Sequence, residues 1–184
     1  MFLATVALSS SGQKMVSFWS NPGQKVQQAD ESTPPPRVTP RGIQSGRCDD
    51  KGRLKLSVEV EKFLKGQELF VTSWDGRIGR IYPLPLWQTQ EQILSDDKEN
   101  PEWADDMMLT ADKYGGAAEV DGQGRVMMPT TLRRKMGIEN QPVKLRHFGG
   151  VILVYSESAF EEDDQRAQTD QGEKIKNFRR MGLK

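Results

Sequence analysis

Asp49-Asp50-Lys51-Gly52-Arg53 is matched later in the chain by Asp121-Gly122-Gln123-Gly124-Arg125, so the pattern Asp-x-x-Gly-Arg occurs twice. The two arginines are 72 positions apart (125 − 53). Each motif is followed by strand-forming residues, Leu54-Lys55-Leu56 after the first and Val126-Met127-Met128-Pro129 after the second. This self-similarity indicates a tandem duplication organised around the motif.

The spacing stays matched downstream of each motif. Tyr82 and Tyr155 follow their arginines by 29 and 30 positions (82 − 53; 155 − 125), and Trp87 and Phe160 follow them by 34 and 35 (87 − 53; 160 − 125). A short helix-like segment, 58–64 or 130–136, comes soon after each motif. We therefore predict two equivalent units, each built from a strand, the motif, a second strand, a helix and a hairpin.

The aspartate and the glycine of each motif are typical of a turn. An aspartate accepts hydrogen bonds from backbone amides two residues further on, and glycine takes the positive φ that other residues resist. Asp49, Gly52, Asp121 and Gly124 are accordingly predicted to shape two turns. A turn does not require the arginine, whose guanidinium suits phosphate oxygens or the edge of guanine. The alternative role is an ion pair with the motif's own aspartate, and the two roles are compatible because the aspartate can aim the arginine.

These features resemble the MraZ family, whose repeats are similar to the AbrB/SpoVT swapped-hairpin domain. Ser57 stands where the family usually has proline, and Cys48 where it usually has a bulky apolar residue. Residues 1–39 have no counterpart in the family. The resemblance covers residues 41–160, and besides the two motifs it rests on Arg41-Gly42, Ile81-Tyr82-Pro83-Leu84-Pro85-Leu86-Trp87 and Ala117-Ala118-Glu119-Val120-Asp121.

The resemblance implies an α+β fold of two tandem AbrB/SpoVT-like swapped-hairpin β units with short helices. The units would be pseudo-twofold related, with a helical linker between them. The expected divisions are a disordered N-terminal extension over 1–39, the first repeat over 41–87, the helical linker over 88–114, the second repeat over 115–160, and a C-terminal helix and tail over 161–184.

The resemblance also implies a cytoplasmic, nucleoid-associated transcriptional regulator that forms homo-oligomeric rings. Such a protein would bind short direct repeats upstream of a cell-division and cell-wall gene cluster. The residues predicted to contact double-stranded DNA are Arg53 and Arg125, with Lys51 and Gln123 as neighbours at equal offset, because arginine can read guanine and glutamine adenine. Several chains holding these residues in register on one duplex would add affinity through avidity. No cofactor, membrane or small-molecule substrate is expected.

Charge is unevenly distributed, although the 184-residue chain has no net charge. Residues 41–80 contain nine Lys or Arg and six Asp or Glu, and residues 121–150 contain six and two. Residues 90–112 contain one Lys or Arg and eight Asp or Glu, and residues 155–170 contain one Lys or Arg and six Asp or Glu. The motif units are thus basic and the segments after them acidic, which would let the protein present one face to DNA. The alternative is that the acidic segments are simply solvated helices.

The chain offers little for catalysis or metal binding. Cys48 is the only cysteine and His147 the only histidine, which excludes an internal disulfide, a zinc site built on a cysteine cluster and most nucleophilic triads. We expect His147 to be a strand residue and the protein not to be an enzyme. The remaining alternative is an AbrB-type antitoxin or protein-interaction module. Such antitoxins resemble one unit with a partner-binding tail, whereas this chain has two units.

Local patterns predict further elements. Residues 54–58 alternate apolar and polar as a strand does, and residues 84–94 and 102–113 read as helices. Arg77 is expected in solvent on a hairpin, and residues 172–184 are expected to be basic and frayed. The second linker helix is expected to bury Trp103, Met107, Met108 and Ala111, and the helix of the second repeat is expected to expose Arg133, Arg134 and Lys135.

Overall fold

The two predicted repeats, residues 41–87 and 115–160, each contribute four strands to one antiparallel sheet. The computed structural model describes residues 38–184, so the extension predicted over 1–39 lies outside the described residues apart from its last two positions. The strands are β1 (Ile43–Cys48), β2 (Arg53–Lys55), β3 (Leu69–Thr72), β4 (Gly79–Pro83), β5 (Gly116–Ala118), β6 (Arg125–Met127), β7 (Pro142–Phe148) and β8 (Val151–Ser156). Their order across the sheet is β5-β3-β4-β8-β7-β1-β2-β6. An isolated bridge between Val120 and Val126 links the two ends of this order.

The strands of the two repeats are interleaved. β1 pairs with β2 and also with β7, while β3 pairs with β4 and also with β5. In the second repeat β7 pairs with β8, and the Val120–Val126 bridge occupies the place of the β1–β2 pairing. Equivalent strands of the two repeats meet where β4 pairs with β8 and β2 pairs with β6. Every pairing therefore has a counterpart when the repeats are exchanged, and neither repeat forms a continuous sheet alone.

This architecture confirms the predicted α+β class with an antiparallel sheet. The described residues, 38–184, belong to one compact unit. The likeness of each repeat to the AbrB/SpoVT domain and the boundaries proposed between domains stay predictions.

Six helices accompany the sheet in the described part of the chain. Two of them begin at serine caps: the Ser57 Oγ accepts a hydrogen bond from the Val60 amide, and the Ser156 Oγ accepts one from the Ala159 amide. Gly137 ends another in the left-handed conformation. The helices are α1 (Val58–Leu64), α2 (Leu84–Ser95), α3 (Pro101–Tyr114), α4 (Thr130–Met136), α5 (Glu157–Gln168) and α6 (Gln171–Arg180).

The main core lies on one face of the sheet and draws on both repeats. Leu54 and Val126 face each other across the β2–β6 pair, and both are fully buried. α1 and α4 add Leu64 and Leu132 to the same cluster. A second cluster is aromatic: the Trp87 ring of α2 stacks on Phe70 at 4.5 Å between ring centroids. These contacts attach α2 to the sheet and fix where the linker begins.

Four local predictions were wrong or only partly right. The strand predicted over 54–58 ends at Lys55, because Ser57 caps α1. Arg77 is not free in solvent, since its Nη2 donates to the Ala159 carbonyl and to the carboxylates of Glu162 and Asp163 on α5. On α3, Ala111 is buried as predicted, but Trp103 is 69% exposed. The segment expected to fray forms α6 from Gln171 to Arg180.

Candidate nucleic-acid interface

The first motif folds into a turn held by its aspartate. The Asp49 Oδ1 accepts from the amides of Lys51 at 3.0 Å and Arg53 at 2.8 Å, and its Oδ2 accepts from the Arg53 Nε at 2.6 Å. The backbone closes the turn through a bond from the Gly52 amide to the Asp49 carbonyl at 3.1 Å. Gly52 has a φ of +84°, the conformation that a side chain would resist.

The second motif repeats this geometry bond for bond. The Asp121 Oδ1 accepts from the amides of Gln123 at 2.9 Å and Arg125 at 3.0 Å, and its Oδ2 accepts from the Arg125 Nε at 2.8 Å. Gly124 has a φ of +69°, and its amide donates to the Asp121 carbonyl at 2.9 Å. The ion pair that was the alternative role of each arginine is therefore present in both copies.

Each turn is also bonded to the other repeat. The Gly124 carbonyl accepts from the Leu56 amide at 3.1 Å, and the Gly52 carbonyl accepts from the Met128 amide at 2.8 Å. Leu56 follows β2 and Met128 follows β6 at the same offset, so the two bonds are equivalent under exchange of the repeats. These two hydrogen bonds fix the position of each turn relative to the other.

The two arginines lie on one face of a two-stranded ribbon. β2 and β6 pair antiparallel with Arg53 opposite Met127 and Lys55 opposite Arg125. Because side chains alternate along a strand, these four residues point away from the face on which Leu54 and Val126 are buried. Arg53 and Arg125 are diagonal neighbours across the ribbon, a relation in which Cβ atoms lie somewhat less than about 7–8 Å apart.

Both arginines are partly accessible. The Arg53 side chain is 32% exposed and the Arg125 side chain 23% exposed. Lys51 and Gln123 are exposed near the tips of the two turns. Within the described residues, neither Nη of Arg53 has a hydrogen-bond partner, whereas the Arg125 Nη2 also lies 2.8 Å from the Asp121 Oδ2. The aspartates thus hold the guanidinium groups by one edge and leave other N–H groups free to bind.

Lys55 is a cation on this face that our sequence reasoning missed. It lies two residues after Arg53, and its Nζ donates to the Gln123 carbonyl at the tip of the second turn. The alternation along residues 54–58 was a usable signal, because it places Lys55 on the same side as Arg53. Met127 is 50% exposed at the equivalent position, so the two repeats differ in charge there.

A second difference between the repeats lies beside the glycines. A Cβ atom built on Gly52 would overlap the guanidinium of Arg133 on α4, and one built on Gly124 would overlap the carboxylate of Glu61 on α1. Arg133 and Glu61 are 72 positions apart (133 − 61), the separation of the motif arginines. The helix of each repeat therefore lies against the turn of the other repeat. The first turn meets a positive side chain, Arg133, and the second turn meets a negative one, Glu61.

The prediction that Arg133 lies on a solvated helix face was wrong. Its side chain is 13% exposed, its Nε donates to Glu139 at 2.9 Å, and its Nη1 donates to the Met128 carbonyl at 3.3 Å. Arg134 is 70% exposed, as predicted for that face.

Hydrogen bonds lower the pKa of both motif carboxyl groups. For Asp49 the main cause is the bond from the Arg53 amide, and for Asp121 it is the bond from the Arg125 side chain. These donors favour the charged carboxylate. The turns therefore carry charged aspartates at neutral pH.

The surroundings of Cys48 and His147 shift the pKa of each side chain. Burial raises the pKa of the Cys48 thiol to about 11, which disfavours the reactive thiolate. His147 lies in β7 as predicted, against the edge of the Phe63 ring, and burial lowers its pKa. Within residues 38–184, no three His, Cys, Asp or Glu side chains are grouped to hold a metal ion. No helix in the same range is long and apolar enough to cross a membrane.

Comparison with known proteins gives a uniform result. The chain is 34% identical over 106 residues to the transcriptional regulator MraZ of Acidobacterium capsulatum, which covers 56% of this chain and 73% of that protein. It is 30% identical over 138 residues to the protein of the same name from Koribacter versatilis, covering 73% of this chain and 94% of that one. The MraZ regulator of Leuconostoc citreum is 30% identical over 142 residues, covering 74% and 90%. No protein-family model matches the sequence.

Proposed function

The chain belongs to the MraZ family, and we propose that it is a sequence-specific DNA-binding transcriptional regulator that uses the β2–β6 ribbon to read the major groove. The observation that carries the proposal is the placement of Arg53 and Arg125 on one outward face of that ribbon. The major groove admits a two-stranded β-ribbon, which makes this element a suitable reader.

The side chains of each motif would make different contacts with DNA. Arg53 and Arg125 would donate in pairs to guanine or to phosphate, since the aspartates leave N–H groups of both guanidinium groups available. Gln123 would contact adenine, and Lys51, the residue at the same offset in the first motif, would contact phosphate. The aspartates would hold the arginines extended, which limits the side-chain entropy lost on binding.

We also propose that several copies act together, as a homo-oligomeric ring. One ribbon presents two arginines and few other contacts, which is too little for tight binding by a single chain. Copies held in register would engage short direct repeats of DNA with added avidity. The site of action would be the nucleoid in the cytoplasm, upstream of a cell-division and cell-wall gene cluster. The interleaved strand pairing supports a pseudo-twofold relation between two AbrB/SpoVT-like units.

The test is an electrophoretic mobility shift on the DNA upstream of the protein's own gene, with the double variant Arg53→Ala/Arg125→Ala. Loss of a base contact costs about 1–3 kcal/mol, and each 1.4 kcal/mol is about tenfold in affinity. We therefore expect a loss of at least about tenfold. A matched double variant, Lys98→Ala/Arg166→Ala, removes two exposed cations from the acidic segments and should bind as the unchanged protein does. Undiminished binding by the arginine variant, with its fold intact by circular dichroism, would overturn the proposal.

A second measurement distinguishes side chains that contact phosphate from side chains that recognise a base. Lys51→Ala should weaken binding to specific and unrelated DNA alike and lower the slope of log affinity against log salt by about one. Gln123→Ala should instead reduce discrimination at one position of the site, seen when each base pair is varied in turn. If Lys51→Ala changed the sequence preference, the assigned roles would be wrong.

A further inference from the structure

Helix α6 is amphipathic, and within residues 38–184 its one hydrogen bond to another helix runs from the Lys174 Nζ to the Ala167 carbonyl. None of its residues is buried, and Ile175 and Phe178 are 37% and 53% exposed. The turn before it is sharp, because Asp170 has a φ of +55°. Isolated helices shorter than about 12–15 residues are marginal in water. A ten-residue helix of this kind needs a surface that covers its apolar side.

Charge on α6 is arranged around that apolar side. Helical spacing places Ile175 and Phe178 side by side, with Lys174 and Arg179 flanking them. Residues 171–184 contain five Lys or Arg and one Glu, a net charge of +4. The surface that receives α6 should therefore be an apolar groove with an acidic rim.

A groove of that description lies between α2 and α3. It has a volume of about 370 Å³, and its floor is formed by Leu94, Ala104 and Met108. Carboxylates of Glu91, Asp97 and Asp105 line the rim. Residues 90–112 around it have one Lys and eight Asp or Glu, a net charge of −7. No residue of α6 lines this groove in its own chain.

We propose that α6 of one copy docks in the α2–α3 groove of a second copy, with Phe178 inserted between the helices and Lys174 and Arg179 against the acidic rim. This is the packing of an amphipathic helix in a hydrophobic groove. Each chain carries one α6 and one groove, so copies can join either reciprocally as a twofold dimer or head to tail, and both arrangements use the same contact. The inference rests on the proposed function in one respect, since it names the surfaces through which the copies proposed there would assemble.

The exposed apolar side chains of α3 support a contact between copies. Trp103 and Leu109 are 69% and 67% exposed, and neither is covered by the described part of the chain. Leu109 follows Asp105 by four positions on α3 and so lies beside the groove lining, where an exposed apolar side chain favours an interface. Asp105 has no hydrogen bond or ion pair with any described residue, so its charge is available to a cation from the partner.

The test is the mass of the full chain by size-exclusion chromatography with light scattering. Phe178→Asp should lower the mass to that of a monomer, whereas Asn177→Asp, the same new residue one position away on another side of α6, should leave it unchanged. On the groove, Asp105→Lys should reduce assembly, and Asp106→Lys, which lies outside the groove lining, should not. If Phe178→Asp kept the full mass, or each control were as disruptive as its partner variant, the proposal would be wrong.

Mixing identifies the partner. The Phe178→Asp chain keeps an intact groove and the Asp105→Lys chain keeps an intact α6, so an equimolar mixture should form a 1:1 complex that neither forms alone. Absence of that complex would contradict docking between copies. A photoreactive residue at position 178 should crosslink to residues 91–108 of a differently isotope-labelled chain, and crosslinks within one chain or to DNA would contradict the assignment.

The same variants separate this inference from the proposed function. Arg53→Ala/Arg125→Ala should keep the full mass and lose DNA affinity, because the ribbon lies apart from α6 in the chain. Phe178→Asp should lose the mass and only that part of the affinity that depends on several copies. The arginine variant therefore tests DNA reading by the ribbon, and Phe178→Asp tests docking of α6, so a failure of either proposal can be recognised separately.

Discussion

At the scale of single residues, Asp49 and Asp121 each shape a turn and also hold the arginine that follows it. Each carboxylate bonds two amides of its own turn and the arginine that follows. The turn geometry and the aspartate–arginine contact could be predicted from Asp-x-x-Gly-Arg alone. The contact of Arg133 with Gly52 could not, because that arginine comes from the other repeat and only the interleaved fold brings it there.

The motif glycines should be sensitive to alanine. Gly52→Ala and Gly124→Ala each place a side chain at positive φ and against a neighbouring side chain. We expect each to lower the free energy of unfolding by about 1–2 kcal/mol, measured by urea denaturation. Gly122→Ala is the control within the second turn, because its Cβ would have open space and its φ is not positive. Equal loss in all three variants would contradict the explanation.

Acid should weaken both turns. The folded pKa of Asp49 and Asp121 lies below the ordinary value, so the native state binds fewer protons than the unfolded chain in that window. Their contribution to stability is complete above the unfolded pKa of about 3.9 and is lost as pH falls through the folded pKa. Urea midpoints measured from pH 6 to pH 2.5 should fall more steeply for the unchanged protein than for Asp49→Asn/Asp121→Asn. Parallel curves would contradict this.

At the scale of elements, the bounds of the helices were easier to predict than which of their faces are buried. Ser57, Pro101 and Gly137 mark helix ends by their own chemistry, and α1, α2, α3 and α4 lie within two residues of the predicted ranges. The buried face of α3 was predicted less well, because an apolar pattern does not tell a surface that packs inside the chain from one that stays exposed. Trp103 is the clearest instance.

The attachment of α5 depends on Arg77. Arg77→Ala removes donors to the Ala159 carbonyl and to two carboxylates. We expect a loss of about 1 kcal/mol in the free energy of unfolding and faster hydrogen exchange of the α5 amides. Arg166→Ala is the control, since Arg166 also pairs with Asp163 but is 75% exposed, and such surface pairs contribute little. Equal effects of the two variants would rule out the special role of Arg77.

At the scale of the whole molecule, the pairing of strands was beyond prediction from patterns. Alternation along residues 54–56 tells which side of β2 faces the core, but it does not tell which strand lies next to it. The duplication predicted that the repeats are equivalent. That β1 takes β7 as a neighbour, and β3 takes β5, became known only from the structure.

Interleaving predicts that half of the chain will not fold. A fragment of residues 38–98 lacks one of the two neighbours of each of its four strands, so its amide NMR spectrum should be poorly dispersed. Adding residues 99–184 should restore a native-like spectrum, because the break falls in the loop between α2 and α3. A well-dispersed spectrum from the first fragment alone would show that the repeats are independent.

The shared sheet also has a consequence for how the protein is made. Translation delivers about 5–20 residues per second, and β1 ends 100 positions before β7 does (148 − 48). For roughly 5–20 s at that rate, the nascent first half therefore carries strand edges whose intended neighbours are still unsynthesised. Open edges invite pairing with other chains, so crowded polysomes are where this molecule is most exposed to aggregation, and a holding chaperone is most useful there.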